Sequence, residues 1–256
     1  MQLRVVTDQP WDVRTDVLVV PIVGEPVFDG PLGELDRRSG GELSALATFG
    51  ELRSKRYAMV LASAGELPVS RLLVVAAGEP DKLDRETVHH LAAAAERRLS
   101  GRTVSRIAIW LDPLAGALSG GAEAVAELIA RGVVEGTYEP QAIYRETVEQ
   151  APPALEELVL VASGADSAAV TRAAERGVVI GEGANTARTL SNRSANDVSP
   201  LVLAEEARAL AKQHGLSIDV IGPEKATEMG MGMFMAVGRG SDNPPQMIVL
   251  RSGDVG

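Results

Sequence analysis

The chain has 256 residues, of which 45% are hydrophobic and 3% aromatic, and its formal net charge is −10. This length and apolar content exclude wholesale disorder and allow one large or two ordinary domains, each with its own core. The acidic charge repels phosphate backbones, so neither nucleic acid nor an anionic membrane is an expected partner. No cysteine is present, which excludes disulfides and thiolate sites and is compatible with a cytoplasmic location.

Strand and helix patterns alternate through the first 150 residues. With so few aromatic residues, the core must consist of Ala, Val, Leu and Ile, as is usual for sheets covered by helices. Apolar runs predict strands at residues 3–6, 16–23, 57–62, 72–76 and 104–111. Helical composition and spacing predict helices at residues 32–38, 43–47, 86–99 and 122–134, the third capped by Asp84. This alternation predicts an α/β domain with a largely parallel or mixed sheet over residues 1–150.

A proline-containing segment follows this domain. Residues 150–157 are the predicted linker, and residues 151–165 also include a short apolar strand at 158–161. Residues 167–190 have helical character, although Gly177, Gly181 and Gly183 argue against an unbroken helix there. We therefore expect a second domain at residues 166–256.

Local signals in the second domain define its elements. Ser199 is suited to cap a helix, and Pro200 is suited to the first helical position, where no N–H is needed. Apolar residues then recur at helical spacing as far as Gly215, which predicts a helix over residues 200–214. A strand at 216–221, a short helix at 223–229 and a buried strand at 247–250 are predicted to follow.

A series of motifs runs through residues 184–251 in a specific order. They are Ala187-Arg188-Thr189-Leu190, Asn192 and Asn196, Ser199-Pro200, Met229-Gly230-Met231-Gly232, Ala236-Val237-Gly238-Arg239-Gly240-Ser241, and Pro244-Pro245. In this order they resemble the start of the catalytic domain of the leucyl aminopeptidase (cytosol aminopeptidase) family. One departure is visible, because Ser194 stands between the two Asn residues where the family usually has Pro.

The resemblance implies both a fold and an activity. The fold is a macro-like N-terminal α/β domain with a mixed sheet flanked by helices, followed by the first, incomplete part of an α/β metallopeptidase domain. The activity is release of N-terminal amino acids from peptide substrates, by a cytoplasmic homo-hexamer that uses two divalent metal ions, zinc or manganese. The family holds these ions in a Gly-Lys-Gly…Asp-x-Gly-Gly segment and an Asn-x-x-x-Glu-Gly-Arg segment, and neither occurs in this sequence. We therefore expect the chain to be truncated before its metal site, to contain no catalytic, cofactor-binding or metal-binding residue, and to be inactive alone.

A non-catalytic binding module is the alternative. In a macro-like domain the glycine-rich segment Gly24 to Gly41 could line a cleft for a nucleotide diphosphate, since glycine permits close backbone approach. The first domain could equally hold a partner protein.

Three further groups are better explained by structure than by chemistry. His89 and His90 diverge on a helix, which predicts a surface role rather than a metal site. Methionines 229, 231, 233 and 235 could bind a soft metal but are more typical of core packing. The segment from Gly238 to Ser241 could cradle an anion, but a tight turn between two core strands is favoured.

Overall fold

The computed structural model describes residues 1–52, 55–144 and 153–253. It divides into two compact units, Met1–Ala187 and Arg188–Gly256. Among the described residues, no helix combines the length and the apolar character needed to cross a bilayer.

Among the described residues of the first unit, six strands and six α-helices form the framework. The strands are β1 (Gln2–Val6), β2 (Thr15–Val23), β3 (Met59–Ala62), β4 (Val69–Gly78), β5 (Arg106–Trp110) and β6 (Glu157–Val161). The helices are α1 (Gly30–Arg38), α2 (Glu42–Phe49), α3 (Arg85–Leu99), α4 (Asp112–Ala115), α5 (Gly121–Gly136) and α6 (Ser167–Asn192), the last of which ends beyond the unit boundary. Each strand and helix predicted in this region is present, with bounds shifted by a few residues.

The strands join in the order β1-β6-β5-β2-β4-β3. All neighbouring pairs are parallel except β3 and β4, so the predicted mixed sheet flanked by helices is confirmed. β6, in the region following the predicted linker, is an inner strand that pairs with both β1 and β5. Of the predicted linker, residues 150–152 lie outside the described residues.

Alternating side chains of the inner strands supply the cores on the two faces of the sheet. Val17, Val19, Ile109 and Leu160 point to one face, where α3, α5 and the start of α6 cover them. Leu18, Val20, Trp110 and Val161 point to the opposite face, which α1 and α2 cover. Because both faces are covered, the strands are apolar runs rather than alternating polar and apolar sequences.

Glycines allow α3, α5 and α6 to approach one another closely. A Cβ atom at Gly177 would overlap the carbonyl oxygen of Glu127 in α5, and one at Gly181 would lie 2.9 Å from Cβ of Val134. Gly132 and Gly136 play the same part between α5 and α3. α6 is therefore continuous through Gly177 and Gly181, because their contacts with α5 outweigh the low helix propensity of glycine.

The described part of the second unit contains three helices and a two-stranded sheet. They are α7 (Pro200–His214), β7 (Ser217–Ile221), α8 (Pro223–Glu228), α9 (Gly232–Gly238) and β8 (Met247–Arg251). β7 and β8 pair in antiparallel orientation, and α7 lies against both. α7 has the predicted bounds, with Ser199 accepting a hydrogen bond from the Val202 amide at 3.3 Å and Gly215 at φ 65° beyond its last turn.

Candidate functional site

A cleft of about 410 Å³ lies at the carboxyl edge of the parallel sheet. The segment after β2 and the residues that follow β5 form its walls, the usual place for a ligand in an open α/β sheet. Its ionisable lining groups are Glu25, Asp29 and Asp112, and no Lys or Arg is among its described lining residues. Carboxylates here oppose the negative charge of a diphosphate, so the lining disfavours the nucleotide site suggested by the glycines of this segment.

Asp112 in this cleft is held by two hydrogen bonds. Its Oδ2 accepts from Nε1 of Trp110 at 2.9 Å, and its Oδ1 accepts from the amide of Ser163 at 3.1 Å. These bonds join the end of β5 to the segment that follows β6. Asp112 therefore fixes the edge of the sheet, and both of its oxygens are engaged in doing so.

The two histidines of α3 lie in different environments. The His90 side chain is half exposed, as expected for a helix surface, but that of His89 is only 13% exposed and faces α5. His89 Nε2 lies 3.2 Å from Oε2 of Glu135, whose other oxygen accepts from Nε of Arg131 at 2.7 Å. Burial lowers the pKa of His89, although the carboxylate of Glu135 opposes this. The surface role predicted for His89 is thus wrong, because its side chain is directed toward Glu135 of α5 and is largely covered.

Sequence reasoning missed a buried carboxyl group on the same helix. Glu96 lies between Ala92 and Leu99 at helical spacing, so it shares their buried face, and it is only 7% exposed. Burial raises its pKa to about 7, with Arg97 acting weakly in the opposite direction. The position of Glu96 within the apolar spacing of α3 was the available signal.

In the second unit, an arginine clamp holds the turn that carries the two family Asn residues. Nε and Nη2 of Arg193 donate to the two oxygens of Asp197 at 2.7 and 3.0 Å, and Nη1 donates to Glu206 in α7 at 3.2 Å. These interactions raise the pKa of Arg193 and lower that of Asp197. The carbonyl of Ser194 accepts from the amides of Asp197 and Val198, so the turn is closed at the position where the family usually has Pro.

The methionine-rich segment does not form a core in this structure. Met229 is 56% and Met233 89% exposed, so the core-packing role predicted for them is not seen. This segment includes the short helix α9, and the turn at Gly238 to Ser241 therefore joins a helix to β8 instead of linking two strands. A Cβ atom at Gly238 would lie 2.5 Å from the Pro245 ring, so glycine is required for this contact.

The described residues do not provide a site suited to a divalent metal ion. No three His, Asp or Glu side chains among them come together in an arrangement that could hold one.

Two protein-family models match the chain, one after the other. Residues 19–146 match the N-terminal domain of the cytosol aminopeptidase family, and residues 185–254 match the catalytic domain of the same family. The mixed sheet covered by helices thus corresponds to the N-terminal domain of a class of peptidases, and the α/β segment after it corresponds to part of their catalytic domain. The chain belongs to the cytosol aminopeptidase family.

Individual relatives agree with this assignment. The chain is 32% identical over 253 residues to the cytosol aminopeptidase of Pseudomonas aeruginosa and 34% identical to a probable cytosol aminopeptidase of Azotobacter vinelandii. These matches cover 98% of this chain and 50% of each relative. The chain therefore spans about half the length of the curated relatives it matches.

Solved structures show the same relationship. A variant of tomato leucine aminopeptidase matches with a TM-score of 0.81 at 25% identity, covering 98% of this chain and 50% of that one. The bottromycin maturation enzyme BotP, solved in complex with Mn, matches with a TM-score of 0.72 at 25% identity, covering 92% of this chain and 45% of that one.

Proposed function

We propose that this chain is the N-terminal portion of a leucyl-type metallo-aminopeptidase, which releases N-terminal amino acids from peptides. The observation that carries the proposal is the succession of the two family domains, in order, over residues 19–146 and 185–254. The N-terminal domain is the macro-like unit, and residues 166–256 are the start of the peptidase domain. The complete enzyme is a cytoplasmic homo-hexamer.

The metal ions of the complete enzyme, two zinc or manganese ions, bind outside these 256 residues. In support, the curated relatives are about twice as long as this chain. The manganese of the BotP structure is consistent with a divalent ion in a related protein. Residues 1–256 alone therefore have no peptidase activity.

The second unit supplies structural support for that later site. The arginine clamp between Arg193, Asp197 and Glu206 fixes the turn to α7. In this proposal these residues act only as structural support. The surface of this unit exposes apolar side chains, including Leu203, Met233 and Val237. These are the side chains that the rest of the peptidase domain covers in the complete enzyme.

Hydrolysis of a leucine chromogenic amide tests the proposal. The assay compares the 256-residue chain with a longer product of the same gene, each with added manganese or zinc, after circular dichroism has shown that both are folded. Activity is expected in the longer form alone. Activity in the 256-residue chain would refute the account of the missing metal site, and two folded but inactive proteins would refute the aminopeptidase proposal.

A further inference from the structure

A second cavity, of about 550 Å³, lies in the first unit on the side away from the carboxyl edge of the sheet. Its walls come from the ends of α3 and α5, the middle of α6 and the segment before β6. This volume is typical of small-molecule sites, and Val134, Leu155 and Val178 give it an apolar side. The cavity lies outside the family motifs of the second unit.

Glu96 is the group in this cavity that lacks a partner. Its Oε2 is buried and has no hydrogen-bond partner among the described residues. The close approach of α5 explains this burial, because a Cβ atom at Gly136 would lie only 3.0 Å from that oxygen. A buried carboxyl group without a partner is costly to the fold and therefore points to a missing ligand.

Hydrogen-bond acceptors predominate among the polar groups around Glu96. The hydroxyl of Thr137 donates to the carbonyl of Val134 at 2.8 Å, and that of Thr186 donates to the carbonyl of Glu182 at 2.9 Å. Each hydroxyl has one proton, so both threonines present only lone pairs to the cavity. Glu139 and Glu182 add two more carboxylates, and no Lys or Arg is among the described lining residues. A ligand that brings donors and positive charge would complement these groups.

The raised pKa of Glu96 is consistent with a site for a positively charged ligand. Its pKa is raised to about 7 by burial, and Arg97 on the same helix is the opposing influence. The other charged side chains among the described lining residues are those of Glu139 after α5 and Glu182 on α6, and Met1 also lines the cavity. A cation placed beside Glu96 would offset its desolvation and favour the ionised form.

We propose that this cavity binds a small aliphatic amine, with the ammonium group on Glu96 and the methylene chain against Val134, Leu155 and Val178. An ammonium group supplies three donors to carboxylates and hydroxyl lone pairs, and its alkyl chain suits the apolar side. A divalent metal ion fits less well, because the described residues form no cluster of three metal ligands. This inference does not depend on the peptidase activity.

Calorimetric titration of the 256-residue chain with 1,5-diaminopentane tests the proposal, and 1,5-pentanediol serves as the uncharged probe of the same length. We expect saturable binding of the diamine at pH 8 and none of the diol. Glu96→Gln should weaken diamine binding at least tenfold. Glu86→Gln, at an exposed position of the same helix, is the matched control and should bind as the unmodified chain does.

Measuring the protons released on diamine binding shows whether Glu96 is the residue that binds the ammonium group. At pH 6 the Glu96 carboxyl is mostly protonated, so diamine binding should release protons, measurable in buffers that differ in ionisation enthalpy. Glu86→Gln should retain this release, and Glu96→Gln should abolish it. Glu182→Gln, on the exposed face of α6, should weaken binding severalfold without affecting the packing of α3 and α5.

Three results would each overturn the proposal. They are the absence of saturable binding, equal binding of the diol and the diamine, and unchanged affinity in both Glu96→Gln and Glu182→Gln. If Glu96→Gln did not fold, unchanged affinity in Glu182→Gln alone would be sufficient to reject it.

Discussion

The two units use the same kinds of helix and strand but differ in how much of their apolar surface they bury. In residues 1–187, both faces of the sheet carry a continuous core of large side chains such as Leu18, Ile109 and Leu160. In the described part of the second unit, the buried hydrophobic residues are small apart from one isoleucine: Ala204, Ala207, Ala211, Ile221 and Ala226. Helices and strands can therefore form from local signals where a core of large side chains is absent.

Stability should follow this difference in burial. The free energy of folding of a domain derives largely from its buried apolar surface, whereas a helix cap contributes about 1 kcal/mol. The two tryptophans, Trp11 and Trp110, both lie in the first unit, so their fluorescence reports its unfolding separately. Tryptophan fluorescence can therefore follow the first unit, while the second unit requires a local measurement.

Truncation of a leucine should have the largest effect in the first unit. Leu160 is fully buried in β6, so Leu160→Ala should lower the free energy of unfolding by about 2–5 kcal/mol in urea titrations followed by tryptophan fluorescence. Leu250 in β8 is 41% exposed, and Leu250→Ala should leave that transition unchanged. Equal shifts for the two variants would show that the units unfold together.

The glycine contacts between helices give the next largest effect. Gly177→Ala should destabilise the first unit by about 2–3 kcal/mol, because the added methyl group overlaps the backbone of α5. Gly183→Ala lies on the same helix with no atom within 4 Å of the new Cβ, and it should stabilise by about 0.5–1 kcal/mol. Thermal or urea unfolding of both variants measures these changes in stability. An unchanged stability in Gly177→Ala would contradict the predicted overlap with α5.

Glu96 should give the first unit a pH-dependent stability. Its pKa is about 7 in the folded protein and near 4.5 when unfolded, so the folded state binds more protons between these values. Stability should then fall as pH rises from about 4.5 to 7, by about 3 kcal/mol in total, since the difference of about 2.5 pKa units corresponds to about 1.4 kcal/mol for each unit. Glu96→Gln removes the titrating group, and its unfolding free energy should decline less between pH 5 and pH 8. If the unfolding free energies of Glu96→Gln and the unmodified chain changed with pH in parallel, the pH dependence could not be assigned to Glu96.

Loss of a helix cap in the second unit should have the smallest effect. Ser199→Ala removes the hydrogen bond to the Val202 amide and should destabilise α7 locally by about 1 kcal/mol. Hydrogen exchange of the first amides of α7 measures this change, while tryptophan fluorescence should not respond. Ser199→Asp retains a capping oxygen and is expected to exchange at the original rate.

Local chemistry explains which parts of the fold were predictable from the sequence. Ser199, Pro200 and Gly215 define α7 because caps and turns act within a few residues. The apolar runs predicted the buried strands for the same reason. In contrast, α9 was missed because the alternating methionines resemble a strand, and short apolar segments do not distinguish helix from strand.

Features that depend on distant parts of the chain were not predictable. The place of β6 between β1 and β5, the contacts of Gly177 with α5, and the cavity around Glu96 all require elements that are far apart in sequence. A glycine that permits helix packing and one that breaks a helix look the same in a single sequence. A buried glutamate similarly resembles an exposed one until the neighbouring helix is in place.

The pairing of β1 with β6 also constrains how the protein is made. Gln2 to Val6 pair with Glu157 to Val161, so this edge of the sheet cannot close until residue 161 has been synthesised. At about 5–20 residues per second, the ribosome needs roughly 8–30 s to produce the intervening chain. During that time β1 is an unpaired strand segment of the nascent polypeptide, to which a chaperone could bind.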